Sequence, residues 1–178
     1  MKLSGGDVLL RDFEPRDVTA YVQIHADPGF SEHAGPDEGS PEHAEKLCDL
    51  FMAWARERPR RDFQLAITLR STGELVGSCG VRTGEQPPGW AEFGIELAAS
   101  VRGRGLATRA AGLILGLGFG PLALAGVTAS SITENAPIAR LLRALGFEER
   151  GTRREPGWMD RRGWTRTDWV LSRNTLSL

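Results

Sequence analysis

Hydrophobic positions recur along this chain with two different periods. Between residues 63 and 69 every second side chain is apolar, which is the period of a strand that buries one face. Between residues 47 and 54 the apolar side chains stand at i, i+3, i+4 and i+7, the spacing that gives a helix one apolar face. Strand and helix patterns are interspersed over the whole length, which predicts a mixed α/β protein.

Capping and turn residues divide these patterns into separate elements. Ser40 followed by Pro41 marks one helix start, and Gly146 marks one helix end. The predicted order is β-α-α-β-β-β-α-β-α-β-β in a single domain spanning residues 1–178, with a loop over residues 29–39. Predicted strands cover residues 8–13, 62–69, 74–81, 90–98, 125–132 and 164–172, with another beginning at Phe147. Predicted helices begin near residues 14, 40, 105 and 134.

Composition argues against several classes of function. The 178 residues carry a net charge of −1 and a pI near 6.3, so we expect no nucleic-acid partner. No apolar run approaches the ~18 residues of a membrane span, and the N-terminus has no apolar signal region. We therefore expect a cytoplasmic protein that does not bind membranes.

Cysteine and histidine positions predict no metal cofactor. Cys48 and Cys79 lack the spacing of metal ligands and are expected to be reduced thiols in the core. His25, His33 and His43 are not spaced as ligands either. We expect all three on the surface or in loops, with His33 the one placed to reach an acceptor substrate.

A glycine-punctuated turn over residues 101–108 leads from a strand pattern into a helix pattern. A helix N-terminus presents backbone N–H groups without intrahelical partners and carries partial positive charge, which suits a phosphate or pyrophosphate. Arg102, Arg104 and Arg109 would add mobile cationic donors. The competing interpretation is a strand–helix corner whose glycines only permit tight packing.

In this context the turn resembles the acetyl-CoA signature of the GNAT acetyltransferase superfamily, Gln/Arg-x-x-Gly-x-Gly/Ala. Here the signature is Arg-Gly-Arg-Gly-Leu-Ala over residues 102–107. Residues 10–17, 134–147 and 164–171 resemble the RimJ/RimL-like branch, the ribosomal-protein-alanine N-acetyltransferases. A dinucleotide-binding fold fits poorly, because Thr108 stands where its third glycine belongs. The resemblance implies a mixed, mostly antiparallel sheet of six or seven strands, with helices on both faces and a splayed central strand pair.

The same resemblance implies acetyl-CoA as the acyl donor and assigns its contacts. Backbone amides of the turn would hold the pyrophosphate, the preceding strand end would pair with the pantetheine arm, and the next helix would supply an asparagine to that arm. The residues assigned in this way are Leu97, Ala98, Ala99, Val101, Arg102, Gly103, Arg104, Gly105, Leu106, Ala107, Thr108 and Asn135.

Two acidic residues are candidates for catalysis. Glu92 and Glu96 lie four apart on a predicted strand, so both side chains leave the same face. Glu92 aligns with the strand glutamate that serves as general base in the histone acetyltransferases of the superfamily. The resemblance therefore implies that Glu92 accepts the proton of the amine, directly or through water. The alternative is that Glu92 is an exposed or salt-bridged strand carboxylate without a catalytic role.

A general acid for the CoA thiolate is not visible in the sequence. Ile138 and Leu142 stand where a serine or a tyrosine is usual in this superfamily, and Tyr21, the only tyrosine, is far away in sequence. A thiol with a pKa near ~8.5 is a tolerable leaving group without help. Water can protonate it, as can one of the hydroxyls of Ser130, Ser131 and Thr133.

The resemblance implies N-acetylation of a primary amine. A protein or peptide N-terminal α-amine is the first hypothesis, because its reference pKa near ~7.7–8.0 leaves more neutral amine than that of lysine, near ~10.4. A small amine, such as an antibiotic or polyamine, is the alternative, and the acidic residues Glu32, Asp37 and Glu38 are compatible with it. A third interpretation is a non-catalytic acyl-CoA-binding module. The chain is expected to be a monomer or a homodimer.

Overall fold

The computed structural model describes residues 1–173, which form one mixed sheet with helices on both faces. Its strands are β1 (Lys2–Gly5), β2 (Val8–Arg11), β3 (Asp62–Leu69), β4 (Leu75–Arg82), β5 (Trp90–Leu97), β6 (Gly126–Ile132), β7 (Glu148–Arg154) and β8 (Thr165–Ser172). Its helices are α1 (Val18–Ala26), α2 (Pro28–Ser31), α3 (Pro41–Arg56), α4 (Leu106–Phe119), α5 (Ala136–Ala144) and α6 (Trp158–Arg161). No helix within this range is long and apolar enough to span a membrane.

The strands lie in the order β1-β2-β3-β4-β5-β6-β8-β7, and every neighbouring pair is antiparallel except β5 with β6. The predicted mixed, mostly antiparallel sheet is confirmed, but residues 1–173 contain eight strands rather than six or seven. The additional strand is β1, whose four residues Lys-Leu-Ser-Gly include a single apolar side chain. So short a segment has no readable alternation, and only its pairing with β2 makes it a strand.

Helices cover the two faces of the sheet with separate hydrophobic clusters. Helix α4 packs on one face, where Ala110 and Ile114 contribute to the larger core cluster. Helices α1 and α3 pack on the other, with Phe51 in the smaller cluster. Cys79 belongs to the first cluster and Cys48 to the second, and both are buried free thiols, as predicted.

A buried ion pair fixes the start of α1 against the sheet. The guanidinium of Arg11 on β2 donates to both carboxylate oxygens of Asp17, at 2.6 and 2.7 Å. Asp17 also accepts from the backbone N–H of Glu14 at 2.8 Å, which closes the turn before the helix. Because a two-pronged pair of this kind tolerates little rotation, it orients α1 relative to the sheet.

The sheet opens between β5 and β6. These parallel strands pair only at Trp90–Glu92, opposite residues 126–128, and then diverge. On the other side of β5, pairing with β4 continues to the strand end, where Ala98 N–H donates to Val76 O at 2.9 Å. Since alternate residues of an antiparallel strand direct their backbone groups to opposite edges, Ile95 and Leu97 direct theirs toward the opening. The splayed central pair is thus confirmed.

Candidate active site

A cavity of about 560 Å³ lies beside the end of β5, where the sheet has opened. The end of β5 forms one wall of it, the turn before α4 a second and α5 a third, and the loop after α1 closes the remaining side. Most residues assigned to acetyl-CoA line it, together with one of the two candidate catalytic glutamates. Those that line the cavity are Glu96, Leu97, Val101, Arg102, Gly103, Gly105, Leu106, Ala107, Thr108 and Asn135. Glu92, Ala98, Ala99 and Arg104 are not among the described lining residues.

The turn before α4 directs backbone N–H groups into this cavity. Gly103 and Gly105 adopt φ of +77° and +73°, the left-handed region that glycine enters without strain. A Cβ at either position would meet nothing within 4 Å, so the backbone conformation, and not tight packing, requires glycine there. The first helical bond runs from Arg109 N–H to Gly105 O at 3.2 Å, which leaves the amides of residues 106–108 without intrahelical partners. The turn therefore has the geometry of an anion site.

The arginines of the turn are not three mobile cations. The guanidinium of Arg102 donates to Gly29 O at 2.8 Å and to Leu97 O at 3.3 Å, so it links α2 to the end of β5. Arg109 lies against Gly6, on the far side of the helix start. Arg104 is exposed. Positive charge at the cavity thus comes from the N-terminus of α4 and from Arg102 and Arg140, which both line it.

Glu96 is the acidic residue of β5 at the cavity. One of its oxygens, Oε1, accepts hydrogen bonds from the hydroxyl of Tyr21, from Ser78 Oγ at 2.9 Å and from His25 Nε2 at 3.4 Å. The other oxygen, Oε2, receives no hydrogen bond from the residues that the structure describes, and 24% of the side chain is exposed. Burial favours the neutral acid, but His25 and the two hydroxyls outweigh it and lower the pKa of Glu96. The carboxylate is therefore ionised at neutral pH with one oxygen free.

A polar chain across the sheet fixes which way the hydroxyl of Ser78 points. Arg82 donates to Gln64 Oε1 at 2.9 Å, so the amide nitrogen of Gln64 faces Ser78 and donates to its Oγ at 2.9 Å. The hydroxyl hydrogen of Ser78 is then free to point at Glu96. Glu92 stands at the far end of this chain, 3.3 Å from Arg82, with 42% of its side chain exposed.

The structure therefore separates the two candidate glutamates. They share a face of β5, as the sequence predicts, but Glu96 lies where the sheet has opened and Glu92 where β5 and β6 are still paired. The period of the strand cannot reveal this difference, because it depends on where a neighbouring strand diverges.

The expectation for His25 was wrong, since its side chain is 2% exposed and packs in the interior. Its neighbour Tyr21, distant from the turn in sequence, is also buried and touches Glu96. The two residues lie four apart on α1 and so occupy one face of that helix. That spacing was a readable signal, but it does not say which strand the face meets.

Hydroxyls proposed to protonate the thiolate lie away from the cavity. Ser131 accepts from the indole of Trp169 at 2.9 Å, and Thr133 contacts Thr165 and Thr167 on β8. Ser130 lies 3.5 Å from Arg166 and, like them, is absent from the described lining. Ile138 does line the cavity, and Leu142 is buried in the core. Among the described lining residues, Thr108 carries the single hydroxyl.

An aromatic group borders the outer end of the cavity. His33 lines the cavity and stacks on Trp164 at 5.6 Å, and Trp158 meets Trp164 edge-on at 6.0 Å. Arg162 lies over both indole rings. This group joins the loop after α1 to the segment around α6. Trp90 lies elsewhere, in a second cavity at the start of β5.

Comparisons with known proteins agree with this geometry. The family model described as an acetyltransferase (GNAT) domain matches residues 7–148. The chain belongs to the GNAT acetyltransferase family. The uncharacterized N-acetyltransferase p20 of Bacillus licheniformis is 28% identical over 155 residues, which cover 87% of this chain and 80% of that protein.

Solved GNAT structures share the fold. RimJ from Mycobacterium smegmatis in complex with CoA-disulfide has a TM-score of 0.78 and 23% identity, covering all of this chain and 88% of its own. A chimera of the spermidine N-acetyltransferase SpeG from Vibrio cholerae and hSSAT has a TM-score of 0.77 and 18% identity, covering 95% and 97%. GNAT enzymes use acetyl-CoA as acyl donor, and residues 1–173 contain no cluster of three metal-ligating side chains.

Pairing of His25 with Glu96 makes the stability of this GNAT domain depend on pH. Burial opposes the charge on His25, but Glu96 and the carbonyl of Glu38 outweigh it and raise the pKa of His25 above 6.5. The stabilisation from this proton is therefore fully present below about pH 6.5 and is lost as pH rises through the folded pKa.

In Glu96→Gln, burial lowers the pKa of His25, because no carboxylate remains beside its ring. The stabilisation that the proton on His25 contributes therefore disappears. The excess free energy of unfolding of wild type over Glu96→Gln is measured by urea denaturation. We expect this difference to decrease from about pH 6 to about pH 9. For Glu92→Gln the difference should stay constant, because Glu92 pairs with Arg82 and makes no contact with His25. A constant difference for Glu96→Gln would contradict the charged pair.

Proposed function

We propose that this protein is an acetyl-CoA-dependent N-acetyltransferase of the RimJ/RimL-like branch in which Glu96 accepts the proton of the amine. The observation that carries the proposal is the free Oε2 of Glu96 at one end of a cavity whose other end is a helix N-terminus. The anion site suits the phosphate groups of an acyl donor, and the base suits an amine acceptor. Both lie on one cavity, so the two substrates can meet there.

The proposed acetyl-CoA contacts follow from the geometry of the cavity. Amides of residues 106–108 hold the pyrophosphate at the start of α4. Ile95 and Leu97 offer an unpaired strand edge to the amide groups of the pantetheine arm. Leu97 N–H is available there, whereas Leu97 O already accepts from Arg102. Asn135 caps α5 by accepting from Ile138 N–H at 3.3 Å, which fixes its side chain at the cavity wall.

In the proposed reaction the amine nitrogen attacks the thioester carbonyl carbon, and the C–S bond then breaks. Attack makes the nitrogen acidic, and Glu96 Oε2 takes up the released proton directly or through a water molecule. The low pKa of Glu96 keeps it ionised and so attracts the cationic acceptor beforehand. The departing thiolate takes a proton from solvent water, because the described lining has no serine or tyrosine in its place.

A protein or peptide α-amine is the acceptor that we favour. Part of it is neutral at pH ~7, so the weakly basic Glu96 need not deprotonate an ammonium before attack. Residues 32–39, which we call the acceptor loop, line the outer end of the cavity, where the N-terminus of a peptide can enter. The structural neighbour named RimJ supports this choice.

A small polycationic amine is the second candidate. Glu32 and Glu38 of the acceptor loop line the same cavity as Glu96, so three acidic residues contribute to its lining. Such an arrangement suits an amine with additional positive charges. The SpeG chimera, by its name a spermidine N-acetyltransferase, supports this alternative. The organised hydrogen bonds to Glu96 count against a binding module without turnover, since binding of acetyl-CoA alone needs no base.

An acceptor screen tests the proposal. Release of CoA thiol from acetyl-CoA is measured with peptides that differ in their first residues, with spermidine and with an aminoglycoside. We expect peptides with a free N-terminus to support turnover, whereas the same peptides carrying a blocked N-terminus should not. Turnover with spermidine alone would favour the second candidate. Tight acetyl-CoA binding without thiol release from any acceptor would refute an enzymatic role.

Substitution of the two glutamates separates their roles. Glu96→Gln should lower kcat by ~10²–10⁴-fold, the contribution of a positioned general base. Glu92→Gln is the matched control on the same strand face, and we expect it to retain kcat within about twofold because its partner Arg82 lies outside the cavity. The reverse result would return the role of base to Glu92.

The turn glycines are expected to determine acetyl-CoA affinity. Gly105→Ala places a Cβ on a left-handed residue, at a cost of about 1–2 kcal/mol that shifts the turn and its amides. We expect the Kd for acetyl-CoA, measured by calorimetry, to rise roughly tenfold. Gly112→Ala is the control, because Gly112 lies within α4 with open space around it. Unchanged affinity in Gly105→Ala would remove the turn from the proposed pyrophosphate site.

A further inference from the structure

We propose that His25 is a positioning residue that joins the base to the acceptor loop through both of its ring nitrogens. The inference rests on the proposed function, because it gives Glu96 and the acceptor loop the roles argued above. Its observable consequence is that acceptor binding and the orientation of the base depend on one buried side chain of α1.

The two contacts of His25 lead to different parts of the site. Nδ1 lies 2.8 Å from the backbone oxygen of Glu38 in the acceptor loop, and Nε2 lies 3.4 Å from Glu96 Oε1 on β5. The loop and the strand are thus connected through a single imidazole. Glu38, Glu32 and His33 of this loop line the cavity, so its position shapes the space for the acceptor.

Both partners of the ring are acceptors, and this determines the charge of His25. A carbonyl oxygen and a carboxylate oxygen each require a donor, whereas a neutral imidazole has only one N–H. The two bonds are satisfied together only by the imidazolium, in which both nitrogens donate. Its positive charge also offsets the negative charge of Glu96, which lies partly buried beside it.

Packing leaves the ring little freedom to break one contact and keep the other. Tyr21 and Phe30 lie against it with ring centroids at 4.5 and 4.3 Å, and Phe30 itself lines the cavity. His43 of α3 approaches to 6.1 Å from a third side. A movement of the imidazole is therefore transmitted to Glu96, to the loop, or to both.

The charged and titratable groups around His25 are few. Tyr21 lies on α1, as His25 does. His43 lies on α3, Glu96 on β5 and Glu38 in the acceptor loop. Glu38 directs its carboxylate at Gly35 N–H, 2.6 Å away, which closes a turn inside the loop. Of these groups, Glu96 is the one whose carboxylate contacts the ring, so the charge on His25 depends chiefly on it.

Two amide substitutions separate the two contacts. In His25→Asn the amide nitrogen replaces Nδ1 and retains the bond to Glu38 O, while the bond to Glu96 is lost. In His25→Gln the longer side chain replaces Nε2 and reaches Glu96, while the bond to the loop is lost. Loss of one hydrogen bond to a charged partner corresponds to a change of roughly 10- to 100-fold in a rate or binding constant.

We therefore expect His25→Asn to lower kcat roughly 10- to 100-fold with the acceptor KM nearly unchanged. His25→Gln should instead raise the acceptor KM by a similar factor with a smaller effect on kcat. Both variants should bind acetyl-CoA as wild type does, which reports a folded protein. Glu92→Gln, a substitution on the same face of β5 as Glu96 but without a contact to His25, is the control and should leave the acceptor KM unchanged and kcat within about twofold. Wild-type kinetics in both His25 variants would refute the proposal. The same decrease in kcat and the same increase in KM in both variants would also refute it.

A measurement independent of activity distinguishes failure of this inference from failure of the proposed function. Nitrogen-15 NMR of the histidine rings should show His25 protonated at both nitrogens at about pH 7, with its signals assigned by their absence in His25→Asn. In Glu96→Gln its titration should move to lower pH. A neutral His25 at about pH 7 in wild type would refute the double contact of His25 with Glu96 and Glu38, whatever the enzyme acetylates. If His25 is charged but wild type acetylates no amine, the proposed function is wrong, whereas the double contact of His25 is supported.

Discussion

The site of this protein depends on the divergence of two parallel strands. β5 and β6 pair for three residues and then separate, while β5 stays paired to β4 up to its last residue. An internal strand thereby acquires a free edge, at Ile95 and Leu97, inside the fold. Unpaired backbone groups in an interior are unfavourable, so in the proposed function the pantetheine arm gains hydrogen bonds at this edge, apart from Leu97 O, which already accepts from Arg102. The N-terminus of α4 opens onto the same gap and adds donors for an anion.

Glu96 combines two requirements that normally oppose each other. A carboxylate at the bottom of a cavity must be stabilised in its charged form, yet an oxygen that accepts a proton must remain accessible. The three donors all reach Oε1, and Oε2 is left to the cavity. Two of those donors come from α1, whose start is held on β2 by the Arg11–Asp17 pair. The geometry of the carboxylate therefore depends on a contact at the start of that helix.

Local patterns in the sequence predicted the elements that depend on neighbouring residues. Ser40 accepts from His43 N–H as the cap of α3, Asn135 caps α5, and the two glycines of the turn adopt the left-handed conformation that makes them necessary. The β3–β4 hairpin and the order of the main strands follow from alternation and turn residues. β1 was missed because its strand character derives from pairing, and α2 and α6 because four-residue helices have no period to detect.

The sequence by itself determined the family, the glycine turn before α4 and the face of β5 on which its two glutamates lie, because each depends on residues close together in the chain. The tertiary structure decided which glutamate meets the cavity, since that depends on where β6 leaves β5. It also decided that Tyr21 and His25, more than 70 residues before Glu96, share one carboxylate oxygen with Ser78. A helix period shows that two side chains lie on one face, but only the packing of that helix on the sheet shows what the face touches.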